Sequence, residues 1–385
     1  MKKHRAITIG AAVALAAGLV AGPAAAQDTT LNVATAGSQN MVDYVKDYLG
    51  PMFEGKDSSV RVRAVGTGPG DAGSQKIYEK LSAQMKAGKD AWDIDVAVVH
   101  QKMAGQLVKD GLLDDYRFTI STGELVTAAD ADNALGTDVR GYVIPMFHSQ
   151  TALAYNPALV SDPPKTYGEL VDWVKANPKK FGYNGIKRGM SGVSFVVGWV
   201  YDQTGEADKL TKGPYDAGVK GTWGDALAKL KDFNQNVSFT SGNAGTLDML
   251  NRGEIAMGPV WVDMFYTWLA DGKLPPNMKL QLIGPGMPGQ PMYYVIPAKA
   301  ANKDAARQFV ELATSPKVQA EGIVKKFNWY PGIDASHLKG HLASADWDKL
   351  FADVTPEDLA SKGKSFPIKP YFDDILEAYE AQVAK

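Results

Sequence analysis

Trp261 and Asp263 follow the apolar run Ile255 to Val260, and Trp329 and Tyr330 stand together ahead of Pro331-Gly332. Rings and a carboxylate beside turn residues suit a pocket. There the rings stack on a sugar face or surround a cation, while the carboxylate takes hydroxyl or amine protons. Trp173, Trp199 and Trp268 fall on helical apolar faces and read as core. His100 and His148 each end a strand-like run, where a packing role and a pocket role are equally open. His337 and His341 are four apart, but Gly340 lies between them and no nearby Glu completes a zinc-protease motif, so no metal is expected.

Two further patterns invite a chemical reading. Gly68-Pro69-Gly70-Asp71-Ala72-Gly73 matches G-x-G-x-x-G between a strand and a helix. The context is wrong for a dinucleotide, because Asp93 and Asp95 precede the next strand instead of ending it. The glycines would still let backbone approach a ligand, and the amides that open the helix near Ser74 can donate to it. Gly189-Met190-Ser191-Gly192-Val193 lacks the second Gly of G-x-S-x-G, and Ser191 has no evident His partner. Without cysteine there is no thiol nucleophile. No cofactor is expected, and catalysis is retained only as an alternative.

The elements that must position these residues are βα units. Thr30 to Ala34 is a strand that turns at Gly37-Ser38-Gln39 into an amphipathic helix. Val60 to Val65 is a second strand, followed by the Gly-rich turn and a helix near Ser74 to Lys86. Ile94 to Val99 is a third, leading into a helix. Repeated βα units imply a largely parallel sheet with ligands outside the carboxyl ends of its strands. Tyr142 to Tyr155 reads as two strand-like runs crossing between lobes, and Tyr293 to Pro297 as a second crossing. Thr166 and Glu169 have capping-box spacing ahead of a helix, Ala305 to Leu312 is a strong helix, and the tail from Pro356 is mostly helical.

Lys2, Lys3 and Arg5, the apolar stretch Ala6 to Val20 and Ala24-Ala25-Ala26 read as a secretory signal over residues 1–26. The rest of the 385-residue chain is too long for one ordinary core, and 45% apolar residues suffice to fold without disulfides. The net charge of −2 becomes more negative once the signal is gone. With no basic block, nucleic acid and anionic membranes are excluded as partners.

The chain resembles the extracellular solute-binding proteins of ABC importers, the larger two-lobed type. Five features carry the resemblance: the signal, the strand Asp93 to Val99 with Gly111-Leu112-Leu113-Asp114, the crossing GYVIP…ALAYNP, the segment GEIAMGPVW, and VIPAKAANKDAARQFVELATSPKVQAE. It implies a two-lobed α/β periplasmic-binding-protein-like fold of type II, its discontinuous lobes joined by hinge strands that close on ligand. One lobe is expected to hold 27–143 plus 295–322, the other 144–294 plus 323–385. The resemblance also implies a soluble periplasmic monomer that delivers a small solute to the importer's membrane permease subunits. Carried over by position, Ser38, Gln39, Thr67, Asp71, His100, Phe147, His148, Ser149, Ser191, Ser194, Trp261, Asp263, Trp329 and Tyr330 should face the cleft. Among acids only Asp71 and Asp263 are obvious, fewer than polyamine binders of this family use, and Tyr293-Tyr294 lies in a hinge strand where iron binders would not have it. A sugar or polyol is therefore the first expectation and a cationic solute such as thiamine or a polyamine the second. The alternative is an exported hydrolase using the same cleft.

Overall fold

The computed structural model describes residues 29–384, so the expected signal lies outside the described residues. The chain opens with β1 (Thr29–Ala36), α1 (Gln39–Asp43), β2 (Val60–Gly68), α2 (Gly70–Lys86), β3 (Val96–His100) and α3 (Gln101–Lys109). β1 pairs in parallel with β2 on one side and β3 on the other. β3 is buried throughout because it is central, while β2 alternates buried and exposed positions as an edge strand does. The second helix starts at Gly70, four residues before the expected Ser74, because Pro69 takes the extended N-cap position and Gly70 adopts a φ of 63°.

The crossing is one continuous strand of 12 residues, β4 (Ile144–Tyr155), and not two runs. Its first half pairs antiparallel with β7 (Gly289–Val295) and with the short β8 (Tyr330–Pro331). Its second half pairs antiparallel with β5 (Met257–Trp261) and β6 (Lys279–Gln281). β7 also pairs with β3, which joins everything into one eight-stranded sheet.

Two hydrophobic cores form on this sheet. One draws on Leu31, Val98, Leu107, Met146, Tyr294 and Phe309, the other on Leu153, Phe195, Trp199, Leu230, Phe265 and Ile375. β4 feeds both: Ile144, Met146 and Phe147 belong to the first, Ala152, Leu153 and Ala154 to the second. The second lobe is built from α4 (Tyr167–Ala176), α5 (Met190–Thr204), α6 (Asn243–Asn251) and α7 (Val262–Ala270), and is closed by α9 (Lys369–Gln382). Thr166 caps α4 by accepting from Glu169 N–H at 3.2 Å. α8 (Lys303–Ala313) returns the chain to the first core. Among the described residues no helix is long and apolar enough to cross a membrane.

Candidate functional site

A cavity enclosing about 60 Å³ lies where the two halves of β4 meet. At roughly 10–15 Å³ per water-sized group, that is room for about four to six of them, so the cleft in this form fits a small solute. Its walls come from where strands hand over to helices. Ser38 caps α1, Gly70 opens α2, His100 caps α3, Met190 opens α5, Asn243 opens α6 and Trp261 caps α7. Six helix starts therefore surround it.

Strand register assigns the faces. In an antiparallel pair, directly opposed residues share a face. Phe147 opposes Met292, Ser149 opposes Gln290 and Thr151 opposes Trp261. Phe147, Ser149, Gln290, Met292 and Trp261 all line the cavity. His148 opposes Pro291 and Tyr330 on the other face. Both it and Tyr330 line a second hollow of about 450 Å³, which also touches Ser149 and Gln290. The placement of His148 outside the cleft follows from strand alternation, since flanking Phe147 and Ser149 already point in.

Asp263 is the one acid on the cavity wall, 6% exposed in the first turn of α7. Ser149 Oγ donates to its Oδ1. No Lys, Arg or His pairs with it among the described residues. Burial pushes its pKa from 3.8 to about 6, against the opposing pull of Ser149, the Trp329 indole and its own backbone N–H. The Trp329 Nε1 acts from outside hydrogen-bond geometry, for it has no formal partner. The Trp329 ring stacks on Phe147 with centroids 4.3 Å apart and on Phe327 at 5.1 Å, so it is a buried slab that meets the cavity at the edge of its wall. Trp261, 6% exposed, is part of the second core as well as the wall.

The remaining expected residues divide. His100 and Ser38 line the cavity. Gln39 is turned to Asp43 on the exposed helix surface. Thr67 braces the Gly-rich turn by donating to Thr35 O at 3.1 Å or Gly73 O at 2.9 Å. Asp71 lies behind Gly70, with Oδ1 buried and unpartnered. Ser191 donates to Asn243 Oδ1 at 2.8 Å and Ser194 to Pro288 O at 2.7 Å, so both hold the wall from behind. Their place off the cavity surface reflects helix periodicity, since α5 presents Met190 instead. Sequence reasoning passed over Asn40, Met41, Asn243, Met264, Gln290 and Met292, all on the cavity wall. The helix-opening position of Asn243 after Gly242 was a signal; Gln290 and Met292 become visible only through register.

The glycines of Gly68–Gly73 serve the backbone itself. Gly68 and Gly70 have φ of 108° and 63°, and a Cβ on Gly73 would stand 1.9 Å from Gly68 O. At Gly73 the turn packs against its own backbone, while Gly70 meets the cavity. No group of three or more metal-ligating side chains occurs among the described residues.

The family description "Bacterial extracellular solute-binding protein" matches residues 68–364. The chain belongs to this family. No curated protein sequence matches it. Maltose-bound MalE3 of T. maritima superposes with a TM-score of 0.73 at 15% identity, covering 92% of this chain and 95% of that one. A structure described as the Atu4243–GABA receptor gives 0.67 at 22%, covering 92% and 98%. The spermidine/putrescine-binding protein PotD of Streptococcus pneumoniae gives 0.64 at 13%, covering 92% and 99%. At these identities the solute-binding fold is what they share. In this chain β4 and β7 carry both the crossing and one wall of the cavity.

Proposed function

We propose that this protein is the substrate-binding component of an ABC importer, acting outside the cytoplasm, and that its cleft captures a small solute bearing a primary amine or other ammonium group. We take the lobes as 27–143 plus 295–322 and 144–294 plus 323–385. The observation that carries the ligand class is Asp263, a buried carboxylate with no cation, beside the Phe147 and Trp261 rings. A buried unpaired charge is costly unless a ligand completes it. An ammonium group completes this one, and aromatic faces around it add cation–π attraction. A sugar would use the same carboxylate as a hydroxyl acceptor but would leave its charge unbalanced. This favours the cationic class over the sugar or polyol class.

Thermal shift with the full mature chain at pH 7.5 separates the classes. An ammonium solute at 100 times its dissociation constant raises stability by about 2.7 kcal/mol, and Asp263→Asn removes that shift. A sugar that stabilises the wild type, with amines inert, overturns the amine assignment. Binding without turnover is checked by recovering the solute unchanged after long incubation; its conversion would support the hydrolase instead. Trp261→Ala is the poorer probe, because truncating a core tryptophan itself costs about 3–5 kcal/mol.

A further inference from the structure

We infer that His100 is a second specificity determinant of the cleft: Ser74 holds it as the neutral tautomer with its proton on Nε2, and that N–H donates to an oxygen acceptor on the end of the solute remote from Asp263. The inference rests on the amine reading of Asp263 and adds the chemistry of the opposite end. His100 ends β3 on the first lobe, whereas Asp263 opens α7 on the second, so a solute touching both is gripped by both lobes.

The tautomer follows from one buried hydroxyl. Ser74 is fully buried, and its Oγ accepts the His100 backbone N–H at 3.1 Å while standing 3.0 Å from His100 Nδ1. The hydroxyl has one proton to give and no other acceptor among the described residues. A buried donor left without an acceptor is penalised, so that proton points at Nδ1, which must then be bare. The ring is kept neutral because burial lowers its pKa from the ordinary histidine value, and the nearby Asp71 carboxylate only partly opposes this. The one ring proton is therefore on Nε2. That atom has no hydrogen-bond partner among the described residues, and the ring is 5% exposed on the cavity wall.

A buried donor aimed at the cavity calls for an oxygen acceptor. Asp71 raises the cost of a carboxylate there, and the N-terminal end of α3, which His100 caps, lowers it. The acceptor chemistry is shared by a hydroxyl, a carbonyl and a carboxylate, and the experiment tells them apart.

Calorimetric titration of the full mature chain uses straight-chain alkylamines, ω-amino alcohols and ω-amino acids matched in heavy-atom number. In the wild type the best-fitting oxygenated amine binds at least about tenfold tighter than its alkylamine match. His100→Phe abolishes that preference, and His100→Gln, which retains a side-chain N–H, restores part of it. Two-bond proton–nitrogen NMR of histidine-labelled protein reads the tautomer without any variant: Nδ1 bare and Nε2 protonated in the wild type, mixed in Ser74→Ala. Equal binding of alkylamines and oxygenated amines by the wild type overturns the inference, as does a proton on Nδ1. Failure of the amine reading looks different: no amine binds at all, and the inference falls with it.

Discussion

Burying Asp263 without a cation lifts its pKa from 3.8 to about 6, and that rise sets what the burial costs the fold. At about 1.4 kcal/mol per pH unit, holding the group ionised at pH 7 removes about 3 kcal/mol of stability. The sign follows from proton uptake. Between pH 4 and 6 the unfolded chain has lost this proton while the folded chain retains it, so stability falls across that window and is flat above it. Asp263→Asn keeps an acceptor for Ser149 and sheds the charge. Urea unfolding without ligand should therefore show the variant up to about 3 kcal/mol more stable than wild type at pH 7.5, with the gain vanishing near pH 4. A variant no more stable at pH 7.5 would mean the carboxylate is already balanced. Such a trade, stability surrendered for a site that a ligand completes, is common at binding residues.

At the level of elements the hinge sets the logic, and His148 is its second charged device. Its Nδ1 stands 3.0 Å from Pro331 O and its Nε2 3.1 Å from Asp130 Oδ2. Both ring nitrogens face acceptors, so both must donate, which requires the imidazolium. Burial alone would lower its pKa, but Asp130, Pro331 O and the more distant Asp334 together raise it above the ordinary value. The stabilisation is therefore present in full below the unfolded histidine pKa, and is lost as pH rises through the elevated folded value. His148→Gln should flatten the segment of a pH–melting curve that lies above the unfolded histidine pKa; an unchanged slope would assign the pH dependence elsewhere. A second expectation belongs to the Gly-rich turn: Gly73→Ala forces apart Gly68 and the start of α2, and should weaken both folding and solute binding, as measured by melting and titration. The strand, turn and helix of that unit were legible from Val-Arg alternation and glycine spacing, and Thr166 was legible as a cap. The facing of the hinge residues was not. Phe147, His148 and Ser149 are consecutive, and only pairing with β7 and β8, over 130 residues away in sequence, tells which side of β4 meets solute. Gln290 and Met292 were invisible for the same reason.

For the whole molecule the question is what holds the two cores at the spacing that forms the cavity. β4 and β7 connect them at the hinge, so contacts between the lobes away from these strands bias how far they close. The C-terminal helix α9 supplies one. Lys102 of α3, on the first lobe, reaches Asp373 of α9, on the second, at 2.6 Å, with its ammonium 5.2 Å from the centre of the Phe372 ring. Beside it, Lys369 N–H donates to Leu135 O at 2.8 Å, and Lys369 Nζ meets Asp373 at 2.8 Å. Burial would raise the Asp373 pKa, yet the two lysines outweigh it and hold the carboxylate below its usual range. A half-exposed pair of this kind contributes about 0.2–1 kcal/mol, which is small against folding but comparable with the gap between open and closed forms of a hinged protein. Its effect should therefore appear in binding more than in melting. Asp373→Asn is expected to weaken solute affinity by about 1.4- to 5-fold and to enlarge the unliganded molecule in solution scattering, with the melting temperature nearly unchanged. Because the pair is screened, raising salt to 1 M should erode the wild-type advantage and leave the variant's affinity almost constant. An affinity difference that survives high salt would trace closure to the Leu135 backbone contact and the packing around Phe372 instead of to this charge pair.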